Sequence, residues 1–90
     1  TQVVADIRKI IAEKEKELKG DLAKTETESL YVDLAQYYVL LYRFSLNQNN
    51  WKKADKRLTD FLKTDLSEST RRRLVAIQAE LKKPTKPKKQ

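Results

Sequence analysis

Cations and carboxylates are the side chains in this sequence with chemistry to offer: 20 Lys and Arg against 13 Asp and Glu, with no His and no Cys. That set favours electrostatic attraction over turnover. Without His the commonest general base and metal ligand is missing, and without Cys there is no thiolate nucleophile, disulfide or cysteine metal site. Acids and bases remain, but no carboxylate pair falls on an apolar helix face where burial would tune one against the other. The one Gly stands outside any phosphate-cradling loop. The expectation is therefore a protein that is not an enzyme, with no cofactor, no metal and no small-molecule substrate.

The charge is uneven. Residues 1–34 hold 6 basic and 8 acidic side chains, net −2; residues 35–90 hold 14 and 5, net +9, and together these give the +7 of the chain. A basic C-terminal half suggests an anionic surface or partner. Lys52, Lys56 and Lys63 align at helical spacing, and with Arg72, Lys82, Lys83 and the lysines of the tail they are the candidate contacts to phosphate or another anion. No aromatic is interleaved among them, so sequence-specific base reading is not expected. What they support is salt-sensitive attraction to nucleic acid or an anionic membrane surface. Arg71, Arg72 and Arg73 are consecutive and, on a helix, diverge by about 100° each, so they form no flat patch.

These side chains must be positioned by helices. One Gly and two Pro in ninety residues leave too few turns for an all-β chain. A chain this short supports one domain. The run from Leu30 to Leu46 carries four Tyr and one Phe, and its apolar residues cover an arc of about 240°, where a surface helix needs about 100°. That helix must be covered on two or three sides. Arg43, Gln36 and Asp33 break it as a membrane span, and no secretory signal is visible. The expected protein is soluble, in a compartment the sequence leaves open; with no Met, a targeting segment already removed is one expectation.

Around it the sequence predicts a first helix over about 2–19, with Val3, Val4, Ile7, Ile10, Ile11 and Leu18 on one face and a solvated face of alternating sign including Asp6, Arg8, Glu13 and Glu15. Gly20 is placed to cap its end. Thr25 and Glu28 have capping-box spacing for a second helix over about 27–46, which Asn47–Asn50 ends. A third helix over about 51–63 packs Trp51, Ala54, Leu58, Phe61 and Leu62. A fourth, over about 67–82 and capped by Ser67 or by Asp65 with Glu68, packs Leu74, Ile77 and Leu81. Short loops make the order antiparallel. The expected fold is thus a small all-α antiparallel four-helix bundle in one domain, residues 1–83, followed by a disordered basic tail at 84–90.

The segment QNNWKKADKRLTDFLKTDL resembles the second helix of a tetratricopeptide repeat. Asn49-Asn50-Trp51 stands for the turn and aromatic, Ala54 for the small residue at the tight crossing, and Leu58 with Phe61-Leu62 for the helix core. Val75-Ala76 matches the large–small pair one repeat length later. Tyr42 and Ser45 depart from the pattern of the preceding helix, and Leu66 stands where the family has Pro. The resemblance covers about residues 38–81 and implies helical-hairpin stacking; a hairpin of convergent packing explains the same residues.

For function, Tyr37, Leu40 and Phe44 form the strip of the second helix without an assigned neighbour. Either the fourth helix covers it or a partner does. The expectation is a non-catalytic protein–protein interaction module, a scaffold that binds an acidic or amphipathic segment of another protein through this strip and the basic side of the third helix. The alternative is a weak binder of nucleic acid or an anionic membrane.

Overall fold

A computed structural model describes residues 2–83. The tail at 84–90 lies outside the described residues. Four helices run as α1 (Gln2–Leu18), α2 (Lys24–Ser45), α3 (Gln48–Leu62) and α4 (Glu68–Lys82), with no strand among the described residues. No Pro occurs before residue 84, so no helix is interrupted.

Side-chain links fix the directions. α1 and α2 are joined by the short link 19–23, and Glu17 lines a cleft with Leu30 whereas Ile11 lines one with Leu41, so α1 runs antiparallel to α2. Between them Lys14 reaches Asp33 at 3.5 Å and Tyr38 reaches Glu15 at 2.7 Å. The Tyr31 ring stacks on Phe61 at one end of α3, with centroids 4.3 Å apart, and Ser45 meets Asn50 at the other, so α3 is antiparallel to α2 as well. Trp51 donates its indole N–H to the Leu81 carbonyl at 3.1 Å, returning α4 along α3. The result is a small all-α bundle, antiparallel in chain order.

Helix α2 is the hub. Leu34 and Ala35 have no exposed surface, and Val32, Val39, Leu41 and Tyr42 are also buried, against Ile7 and Ile11 of α1, Ala54, Leu58 and Phe61 of α3, and Leu74 and Leu81 of α4. The wide apolar arc is accounted for by three neighbours. α3 and α4 also pack on each other, whereas the backbone of α1 approaches α2 alone among the described residues. The bundle is open at one corner.

The helix ends differ from the sequence expectations, each for a local reason. α2 starts at Lys24, because the Ala23 N–H donates to the Glu26 carboxylate at 3.0 Å; Ala23 offers no side-chain acceptor, so half of a capping box forms. Glu28, expected in that box, is drawn to another helix. α3 starts at Gln48, not Trp51, because the Asn47 side chain accepts the Asn49 N–H at 2.8 Å as N-cap. Two residues then link α2 to α3, and Leu46 adopts a left-handed conformation with φ 54° to make the turn. Gly20 is not a left-handed cap: its φ is not positive, and α1 tightens through i→i−3 bonds from Lys19 and Gly20. Ser67 is the N-cap residue of α4, but its hydroxyl accepts from no backbone N–H of the first turn and lies against Glu28 of α2 and Thr70.

Candidate functional site

Where α1 and α3 diverge over α2, a groove of about 450 Å³ opens, lined by Arg8, Ile11, Ala12 and Glu15 of α1, Tyr38 and Leu41 of α2, and Lys53, Lys56 and Arg57 of α3. The spacing explains the walls. Arg8, Ala12 and Glu15 stand at i, i+4 and i+7, and Lys53, Lys56 and Arg57 at i, i+3 and i+4, so each set forms one stripe. Ile11 and Leu41 are core residues whose edges form the floor beside half-buried Tyr38.

One end is closed by a clasp. Glu15 accepts two hydrogen bonds from Arg57, at 2.9 Å from Nε and 2.7 Å from Nη2, and a third from the Tyr38 hydroxyl at 2.7 Å. Burial, reinforced by the Glu15 carboxylate, pushes the Tyr38 phenol up to about 12. The Arg57 guanidinium also lies over the Phe61 ring, 4.6 Å from its centroid. At the other end stand Arg8 and Lys53, which have no ion pair among the described residues. Lys56 is shared with Asp60 at 3.5 Å. The rim therefore carries uncompensated positive charge above an apolar floor.

A second polar cluster is buried between α2 and α4. The Glu28 carboxylate accepts the Ser67 N–H at 2.9 Å, the Ser67 hydroxyl at 2.7 Å and the Thr70 hydroxyl at 2.6 Å. These bonds, that from Thr70 foremost, hold its pKa down at about 2. Glu28 thus caps α4 from another helix, and a carboxylate so held is a poor proton acceptor. No group of three His, Cys, Asp or Glu among the described residues is placed to hold a metal ion.

The residues singled out from sequence divide. Tyr37 is half-buried beneath the Lys14 ammonium, 5.9 Å from its ring centroid. Leu40 and Phe44 are 38% and 57% exposed, so α4 does not close over them. The strip and the basic side of α3 do not form one surface, however. α3 packs on the side of α2 that carries Tyr31, and Leu40, nine residues on, points about 180° away from it. Of the anion-contact candidates, Lys56 pairs with Asp60, Arg72 with Glu68 at 3.2 Å, Lys82 with Asp55 at 3.7 Å and Lys83 with Glu80 at 3.0 Å. Lys52 and Lys63 are exposed. Arg71 instead donates to the Leu62 and Thr64 carbonyls, capping α3.

Arg8, Ala12, Glu15, Tyr38, Lys53 and Arg57 are the groove residues that sequence reasoning missed. The available signal was Ala12, which with Ala5 seven residues earlier puts small side chains in the charged face of α1. No helix among the described residues is long and apolar enough to cross a membrane. Comparison with protein-family models, with curated proteins and with solved structures finds no match to this chain.

Proposed function

We propose that this chain is a non-catalytic protein-interaction module that docks a segment of a partner protein in the groove between α1 and α3. The supporting observation is the convergence, in one cavity, of apolar edges from α1 and α2 with cations from α1 and α3. An amphipathic acidic segment satisfies both: its apolar side leaves water on the floor, and its carboxylates meet the rim and speed encounter. The apolar strip with basic flanks expected from the sequence is replaced in this reading by Tyr38 and Leu41, about 90° around α2 from Phe44.

The test uses an amphipathic peptide with Leu and Glu at helical spacing, fluorescently labelled and titrated with the full chain. Ala12 is exposed, so Ala12→Trp fills the groove without disturbing the core. Saturable binding that survives 200 mM salt and is lost in Ala12→Trp, but not in Phe44→Ala, is the expected result. Unchanged binding by Ala12→Trp overturns the reading, as does equal binding of polyglutamate, which lacks an apolar side.

A further inference from the structure

We infer that the occupant of the groove is an acidic segment anchored by a single bulky apolar side chain, with flanking carboxylates received by Arg8 and Lys53. This rests on the docking reading above and specifies its partner.

The shape argues for one anchor. Ile11 and Leu41 are 7% and 3% exposed, so the floor offers their edges and the face of Tyr38, not a long apolar stripe. Beyond Tyr38 the Arg57–Glu15 clasp spans from α3 to α1 and shuts the groove. A partner helix using a complete i, i+4, i+7 face extends about 10 Å along its axis and would have to run over those charged groups. One aromatic or large aliphatic side chain, entering past the small wall at Ala12, fills the notch on the near side. Energetically such sites behave as hot spots, where one buried aromatic in a fitted pocket carries much of the affinity.

The charges argue for acidic flanks. Within the rim, Arg57 is committed to Glu15 and Lys56 to Asp60. Arg8 and Lys53 remain, one on each wall at the open end. A neutral segment covering them would desolvate two cations without replacement; a carboxylate on either side of the anchor supplies it. A basic segment is excluded by the same charges and by the +7 of the whole chain.

The probe is a twelve-residue peptide with one Trp between two pairs of Glu, measured by fluorescence anisotropy against the full chain. Trp→Ala in the peptide is expected to weaken binding at least about 30-fold. Arg8→Glu and Lys53→Glu in the protein are each expected to weaken it about tenfold, with thermal melts unchanged because both side chains are exposed. If Trp→Ala has no effect while Ala12→Trp still blocks the Leu/Glu peptide, the single-anchor inference falls and the docking reading stands. If Ala12→Trp blocks neither peptide, the docking reading itself falls. Competition by single-stranded DNA or anionic vesicles that depends on Arg8 and Lys53 and matches the peptide in strength also overturns the inference.

Discussion

Arg57 of α3 and Glu15 of α1 hold each other through two separate hydrogen bonds, Nη2 to one carboxylate oxygen and Nε to the other, although the backbones of their helices never come close. The two long side chains do what helix packing elsewhere does with apolar contact. Both are about a quarter exposed, so the pair is partly screened. A double-mutant cycle of Glu15→Ala and Arg57→Ala should give a coupling of about 1 kcal/mol, the upper end for exposed pairs, because the geometry is bidentate.

The Tyr38 hydroxyl shares that carboxylate and gives the clasp an alkaline signature. Its proton is held in the folded state up to about 12, against an ordinary 10.0. The contribution to stability is complete below pH 10 and declines between 10 and 12, where the unfolded chain has already released the proton. Phenolate absorbance during titration should show one tyrosine ionising late, and Glu15→Ala should bring it back towards the others. No late tyrosine in the parent chain would refute the clasp.

Glu28 should govern acid stability. Its folded pKa of about 2 lies below the ordinary 4.5, so its contribution is present above 4.5 and disappears as pH falls towards 2. Denaturant midpoints recorded between pH 5 and 2 should fall more steeply for the parent than for Glu28→Gln, which is already weakened at neutral pH. Parallel curves for the two would remove Glu28 from its role as the cap of α4.

Leu46 is in the left-handed region, where an L-residue with a β-carbon costs roughly 1–2 kcal/mol, and it is 66% exposed. Leu46→Gly should therefore stabilise, by about 0.5–1 kcal/mol after the added freedom of the unfolded chain is counted. For a domain of this size that is a rise in Tm of about 2–8 °C. A lower Tm would show that the leucine side chain has packing worth more than the strain.

Phe44 and Leu58 separate surface from core. Phe44→Ala should change stability by no more than about 0.5 kcal/mol, since more than half of the side chain already meets water. Leu58 has no exposed surface, and Leu58→Ala should cost about 2–5 kcal/mol. Chemical denaturation of the two variants measures both.

Much of the architecture was legible because periodicity is local. The apolar arc of α2 was too wide for fewer than two neighbours, and the residues left uncovered include Leu40 and Phe44 of the expected strip. What was not legible depends on residues distant in sequence. Glu28 looks like the partner of Thr25 three residues away, but its true partners are Ser67 and Thr70, brought to it only when α4 lies along α2. The groove was hidden for the same reason: Arg8 and Glu15 read as a solvated face, and only the divergence of α1 from α3 turns that face into a wall. Leu46 carried no signal at all, since leucine is a poor choice for the conformation it adopts.

The backbone packing of α1 on α2 alone divides the described chain into parts of unequal permanence. Helices α2, α3 and α4 each lean on the other two, so they should open only together. α1 has one backbone neighbour and a side-chain clasp, so it can lift away at a lower free energy, and its amides should exchange with solvent before those of α2. One wall of the groove belongs to that helix. The site therefore exists only as long as α1 stays down, and whatever occupies it must slow the exchange of α1 in proportion to its affinity.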